Sequence, residues 1–492
     1  MRLPDATYPA RGAFRATMGS GADLVVRQGV QFLVLLILAR LLTPADFGTI
    51  ALLAVYVLVG CVLADAGLTT ALLQAKGVTV GEVDSAFWTS VVLGLLLTGI
   101  GVAIASPLAQ LADRPDLVTV ASFMCLTILS TAVGQVHATM LVRALAFGRL
   151  LVIGLVAALL SGAVSIWVAL EGGGLWALAV QSVAMPTVAA VLLLLVSPWR
   201  PGKQWSRNDT TSLIRRGRWV LAANLVDHGY LRLHTLITGV AFGTAALGTY
   251  QRADSTQQLT TETTSAVVGR VALPLFARTS GRADLLRAGF LTGIRSVSAL
   301  NAWAMAVLAA LASPVLMVFF GEQWAPAAPL LSILCAAGLL WPFHVMSISV
   351  LYATGANRQV FRIDLAKKVA GLTLLGVGLT FGLKGVAWAQ VGLGVVALVI
   401  NGRTVQKAVG LGLREQLSSV APVFALAGIV GLGASAASSA LDTEPWIRLI
   451  VVVPLSGVAY LMLAASLRVR AVTDLLILLR PVSNPPPSGP AI

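Results

Sequence analysis

The chain runs to 492 residues, of which 57% are hydrophobic and only 11% charged, with a formal net charge of +14. A soluble protein of this length needs far more charge to cover its surface, so the composition excludes that class and implies a polytopic membrane protein. The basic excess follows membrane topology, and no nucleic-acid partner is needed to explain it.

In chain order, about fourteen spans of roughly 20 residues are expected, the length a bilayer core requires. They begin near residues 19, 48, 86, 117, 149, 174, 218, 247, 286, 326, 361, 385, 418 and 446. Basic residues fall on the even-numbered connections and both tails, from Arg2, Arg11 and Arg15 through Lys367 and Lys368 to Arg468, Arg470 and Arg480. The opposite connections hold only Arg114, Lys384 and Arg448. This is the positive-inside pattern with both termini cytoplasmic.

After a basic segment over residues 1–17, the stretch Ala22 to Thr49 is apolar yet carries Asp23, Arg27, Gln28 and Gln31. It ends in a turn from Thr43 to Thr49 containing Pro44 and Gly48. A distant echo, Ala222 to Thr249, carries Asn224, Asp227, His228, Arg232 and His234 and ends in a turn from Gly243 to Thr249 containing Gly248. Aligning Gly48-Thr49 with Gly248-Thr249 puts Asp227 where Arg27 sits. His137 before Arg143 has a counterpart in His344 before Arg358. The chain therefore reads as an all-α membrane protein with two six-helix lobes, 18–197 and 218–408, related as a parallel repeat. The cytoplasmic linker 198–217 joins them, with Trp199 and Trp205 at headgroup level. Two accessory helices over 409–468 follow, then an interfacial helix and disordered cytoplasmic tail over 469–492.

No enzyme signature is present: no Gly-rich loop ends in Lys-Ser/Thr, and no exposed connection is long enough for a catalytic domain. The histidines never stand at metal-ligand spacing, and Cys61, Cys125 and Cys335 fall singly within spans, so neither a metal, a cofactor nor a disulfide framework is expected. The signal lies in ionisable groups at membrane depth, which are costly there and default to a cavity or a partner. Arg27 and Asp65 fall at the same depth on neighbouring spans and are placed to pair. Asn224, His228 and Arg232 recur every four residues and share one helix face, with Asp227 at its edge. Asp254, Gln258 and Glu262 do the same on the next span, near Arg252 and Arg270, and the following span adds Arg295. Guanidinium forks suit a phosphate headgroup, and the carboxylates Asp23, Asp65, Asp227, Asp254 and Glu262 suit a coupling ion or charge pairs. The bland alternative for each is an internal pair that only fixes helix register. Arg40, near a span end, reads as structural.

Five stretches carry a family resemblance: LARLLTPADFGTIAL (Leu38–Leu52), DAGLTTALLQ (Asp65–Gln74), ALGTYQRA (Ala246–Ala253), VALPLFAR (Val271–Arg278) and GEQWAPAAPLLSIL (Gly321–Leu334). Jointly they make the chain resemble the Wzx-type polysaccharide flippases, near the colanic-acid exporter group, of the multidrug/oligosaccharidyl-lipid/polysaccharide exporter superfamily. The resemblance implies a fourteen-helix transporter of the bacterial cytoplasmic membrane with two lobes around a central, cation-lined cavity. It implies alternating access, an ion gradient as driving force, and a polyprenyl-pyrophosphate-linked oligosaccharide moved from the cytoplasmic to the outer leaflet. Polymerase and glycosyltransferase partners belong to the same implication. No shared motif fixes a functional residue; Pro44, Gly48 and Gly248 are placed by it at the lobe turns. The alternatives are an exporter of another amphiphile on the same fold and a non-transporting scaffold or enzyme of polysaccharide assembly. An exporter of lipophilic cations calls for an acidic, aromatic cavity, whereas these spans are rich in arginine.

Overall fold

The computed structural model describes residues 29–75, 77–111, 114–279, 283–353, 357–467 and 469. The chain divides into two compact units, Met1–Gly248 and Thr249–Ile492. Among the described residues every element is helical, and ten helical stretches are long and apolar enough to cross a membrane by length and composition.

In the first unit, α1 (Gly29–Leu41) is followed at once by α2 (Pro44–Asp65). The chain turns at Thr43, whose hydroxyl accepts from the Asp46 amide at 3.3 Å while the Asp46 carboxylate accepts from the Thr43 amide at 2.9 Å. This reciprocal capping box, with proline at the first helical position, is what the sequence TPAD specifies. The expected turn is therefore shorter than its sequence span: Gly48 lies inside α2 and is buried. At the other end Ala66 (φ 48°) and Gly67 (φ 73°) take left-handed conformations and break the helix, and α3 (Leu68–Gln74) continues the path. Arg143, at the end of α6, donates to the carbonyls of Leu72 and Ala75 and so closes the C-terminus of α3.

Helices α4 (Val80–Leu111), α5 (Leu117–Met124), α6 (Leu126–Arg143), α7 (Phe147–Leu170) and α8 (Leu175–Val196) complete the first bundle. Its core joins Leu68, Leu72, Phe87, Val136, Met140 and Leu213. Trp199, expected at headgroup level, is packed into this core against Phe87 and His137, at ring-centroid distances of 5.7 and 4.8 Å. The connection after α8 is strapped to α4. The Gly202 amide donates to Asp84 (3.2 Å), the Ser206 amide to Ser85 (3.0 Å), and the Trp88 and Trp205 indoles donate to Gly202 O (2.8 Å) and Thr89 (3.2 Å).

α9 (Arg207–Thr279) takes up two expected spans in one helical run interrupted at Gly243, whose φ of 83° and ψ of 172° no ordinary helix residue adopts. Helix begins at Arg207, inside the stretch read as linker.

The second unit holds α10 (Ala283–Ala310), α11 (Ala312–Phe320), a 3-10 turn (Glu322–Ala327), α12 (Ala328–Leu339), α13 (Trp341–Ala353), α14 (Asn357–Leu379), α15 (Gly382–Val409), α16 (Leu413–Ala440) and α17 (Pro445–Ser466). Phe290, Ile294, Phe343, Met346, Val405 and Val420 form one of its core clusters. The last two helices join this unit through α10: α16 contributes Val423 and Leu426 to a shared core, and the Tyr460 hydroxyl donates to Ala299 O at 2.9 Å. The expected interfacial helix and tail lie outside the described residues.

Candidate functional site

Two glycine crossings in the first unit set where the polar residues of α9 stand. A β-carbon on Gly48 would fall on the Thr244 carbonyl and within 2.9 Å of the Gly248 amide; one on Gly248 would fall on the Pro44 carbonyl. At the far end of α2, a β-carbon on Gly67 would lie 2.6 Å from the Gly217 carbonyl, and one on Gly217 would strike Gly67 in return. α2 is thus packed backbone against backbone with α9 at both of its ends, at Gly217 before the Gly243 break and at Thr244 and Gly248 just after it. Gly48 and Gly248, paired by alignment of the two halves, meet in space. They serve as packing glycines within helices; in the second expected turn only Gly243 leaves helical geometry. Gly67 and Gly217 were not anticipated. Their signal was a glycine interrupting the apolar run at Ala66-Gly67 and another among the basic residues near Arg216.

Between these crossings α9 carries Asn224, His228 and Arg232 on one face, as their spacing requires. Asn224 and Arg232 are half-buried, and Asp227 and His228 are exposed. The Arg232 Nε is buried and meets no hydrogen-bond acceptor. A guanidinium N–H removed from water without an acceptor is a standing cost, and an incoming oxyanion would remove it.

Asp23 and Arg27 lie outside the described residues, and the expected pair of Arg27 with Asp65 lies outside them with Arg27. Asp65 is half-buried, and its carboxylate accepts from the Thr69 amide at 3.2 Å. That contact satisfies a free N–H in the first turn of α3, which is capping work.

In the second unit Arg252 is buried, 5% exposed, and its guanidinium lies over two aromatic rings, Phe320 at 4.7 Å and Trp324 at 4.8 Å. Two stretches that carry the family resemblance, ALGTYQRA and GEQWAPAAP, therefore meet at this clasp. Such stacking stabilises a cation where water is excluded. One turn on, the half-buried Asp254 accepts from the Gln258 amide at 2.8 Å. Gln257, on the buried face, donates to Thr261 at 2.6 Å. Arg295 is half-buried on α10. Glu262 and Arg270 fall in a part of α9 whose side chains lie outside the description. Lys367, read from the sequence as part of a connection, sits well inside α14 and is buried at 7% exposure, with its Nζ 3.2 Å from His344 Nδ1. Among the described residues no His/Cys/Asp/Glu cluster has the geometry to hold a metal ion.

Comparison with known proteins follows from this geometry. The family described as polysaccharide biosynthesis protein matches residues 37–329, more than half of the chain. The teichuronic acid biosynthesis protein TuaB of Bacillus subtilis is 25% identical over 409 residues, covering 82% of this chain and 84% of its own. The succinoglycan biosynthesis transport protein ExoT of Rhizobium meliloti is 26% identical, covering 70% and 69%. The lipopolysaccharide biosynthesis protein WzxC of Escherichia coli is 24% identical, covering 73% of each. Among solved structures, the lipid II flippase MurJ in an inward closed conformation matches with a TM-score of 0.67 at 11% identity, covering 91% of this chain and 99% of that one. An inward-facing multidrug resistance MATE transporter matches with a TM-score of 0.59 at 15% identity, covering 82% and 98%. At such identities the structural likeness speaks for the fold.

Proposed function

This chain belongs to the polysaccharide biosynthesis protein family, and from that premise we propose that it is a flippase for a polyprenyl-pyrophosphate-linked oligosaccharide. It carries the substrate from the cytoplasmic to the outer leaflet of the bacterial cytoplasmic membrane by alternating access, driven by an ion gradient. In this reading the chain crosses the membrane about fourteen times, with both termini cytoplasmic, and residues 18–197 and 218–408 form its two lobes. Polymerase and glycosyltransferase partners would act before and after it.

The observation that carries the reading is Arg232. Its half-buried guanidinium stands on the polar face of α9 with Nε buried and without an acceptor, in a chain otherwise dominated by apolar helices. A pyrophosphate supplies the oxygens such a fork binds. Asn224 and His228, on the same face, would hold further headgroup oxygens, with Arg27, Arg252, Arg270, Arg295 and Gln258 as the other headgroup candidates. Asp23, Asp65, Asp227, Asp254 and Glu262 remain the candidates for ion coupling or charge balance. The names of TuaB, ExoT and WzxC, which speak of teichuronic acid biosynthesis, succinoglycan biosynthesis transport and lipopolysaccharide biosynthesis, support the substrate class.

Binding of farnesyl pyrophosphate, farnesyl monophosphate and farnesol to the purified chain in nanodiscs tests headgroup recognition. The expected order is pyrophosphate tightest and farnesol weakest. Arg232→Ala should weaken pyrophosphate binding at least tenfold, on the scale of about 1.5–3 kcal/mol for a hydrogen bond to a charged group. Equal binding of all three, or an unchanged Arg232→Ala, would remove the headgroup site from this helix.

A further inference from the structure

Within the second unit, α13, α14 and α15 bring three polar side chains together, away from the polar face of α9 that carries Arg232. Lys367 Nζ lies 3.2 Å and Asn401 Nδ2 lies 3.4 Å from the same atom, Nδ1 of His344. Lys367 is 7% and Asn401 1% exposed, while His344 is half-buried against Trp341, with ring centroids 5.0 Å apart. Along their helices the three stand at one depth, roughly 12–15 Å from the adjacent ends of α13, α14 and α15 at 1.5 Å per residue. No carboxylate among the described residues pairs with Lys367. Asp364, one turn before it, is bound to Lys368 instead.

Two donors converging on one imidazole nitrogen require that nitrogen to be bare, so the ring is neutral with its proton on Nε2. The cluster then holds one positive charge, on Lys367. A second proton on His344 would set two cations against each other in a site screened from water, at high cost. Asn401 reveals a second arrangement. Its Oδ1 is buried without a hydrogen-bond partner, and rotating the amide by half a turn would bring that oxygen to Nδ1. The rotated amide accepts from a protonated Nδ1 where the present one donates to a bare one.

We propose that Lys367 and His344, read out by Asn401, form a proton-binding couple that takes up and releases one proton per cycle. In the loaded state the couple carries one charge. The proton passes from the ammonium of Lys367 to Nδ1 of His344, leaving a neutral amine and an imidazolium, and Asn401 turns its carbonyl oxygen to the new N–H. Release of a proton from the imidazolium leaves both groups neutral, so charge and protons balance at every step. Of the charged groups on the surrounding helices, Asp364 and Lys368 act on the couple and offset one another. α14 adds the exposed Arg362, α15 the exposed Lys384, Arg403 and Lys407, α10 the exposed Asp284 and Arg287 and the half-buried Arg295, and α16 the exposed Arg414 and half-buried Glu415; α12 has no charged residue. The inference deepens the transport reading by naming the coupling ion, and rests on it only for what the proton drives.

Nitrogen NMR of the full chain in nanodiscs, with its four histidines labelled with 15N, tests the couple without any substrate. The signal lost in His344→Gln identifies His344, and the other three histidine signals report that each variant is folded. Wild type at neutral pH should show a bare Nδ1 and a protonated Nε2. In Lys367→Met the ring should be doubly protonated at a pH where the wild-type ring is still neutral. Asn401→Asp, which fixes an acceptor beside Nδ1, should shift the ring the same way and supplies an independent arm if Lys367→Met does not fold. A protonated Nδ1 in the wild type at neutral pH, or identical titration in wild type and both variants, overturns the couple. In proteoliposomes an imposed proton gradient should accelerate wild-type translocation severalfold. Translocation indifferent to that gradient would overturn the coupling role, whereas absence of translocation under any gradient would count against the transport reading and leave the NMR result to decide the couple.

Discussion

At the scale of single residues, the structure gives two of the expected charges, Asp65 and Arg252, contacts within the fold. Asp65 accepts the Thr69 amide, a task asparagine performs equally well. Asp65→Asn should therefore leave thermal stability nearly unchanged, while Asp65→Ala should lower it by about 0.5–2 kcal/mol. Equal losses in both would restore a role for the carboxylate charge. Arg252 lies against Phe320 and Trp324, so Trp324→Ala, which empties a fully buried site, should cost about 3–5 kcal/mol. Arg252→Lys should lose part of the stacking, because an ammonium lacks the planar face. Denaturant unfolding of the purified variants measures both. The sequence singled out Asp65 and Arg252 as ionisable groups on expected spans, but not their partners. Arg252 and Trp324 are far apart in the chain, and no period or spacing links a cation to a ring across such a distance. Lys367 was misread for a different reason: as a basic residue near the start of a span it matched the pattern of a cytoplasmic connection, and only its burial places it inside.

At the scale of elements, glycine decides how closely α2 and α9 approach. Gly48→Ala and Gly217→Ala each put a methyl group into an opposing backbone, which cannot yield as a side chain can. Both should lower the melting temperature sharply. Gly99, within α4, has open space where a β-carbon would go, so Gly99→Ala should be neutral or stabilising by up to about 1 kcal/mol. If Gly48→Ala matched Gly99→Ala, the crossings would not be close-packed. Gly243 is a separate case: its space is open, and only its φ of 83° forbids a side chain. Gly243→Ala should destabilise by about 1–3 kcal/mol through backbone strain. The helices themselves were legible, because runs of apolar residues of span length leave little choice in a bilayer. The TPAD cap was legible as a turn signal. The contact of Gly48 with Gly248 was not, since alignment of two halves gives equivalence and says nothing of proximity.

At the scale of the whole molecule, a polytopic helical chain of the polysaccharide biosynthesis protein family presents, on α9, a polar face led by Arg232. Apolar helices bring the chain into the membrane and glycines seat α9 against α2; under the proposed function the polar face takes a charged headgroup. Which sugar follows the headgroup was not legible, because sugar contacts come from scattered amides and hydroxyls with no fixed spacing. The measurement that tests this account most directly is leaflet translocation of a polyprenyl-pyrophosphate-linked oligosaccharide from the protein's own pathway. Vesicles reconstituted with the purified chain would be assayed by exposure of the sugar to an added glycosidase. Wild-type vesicles should expose the inner-leaflet pool at a rate well above protein-free vesicles, and folded Arg232→Ala should lose most of that rate. Wild-type vesicles no faster than protein-free ones, under an imposed ion gradient, would contradict the account.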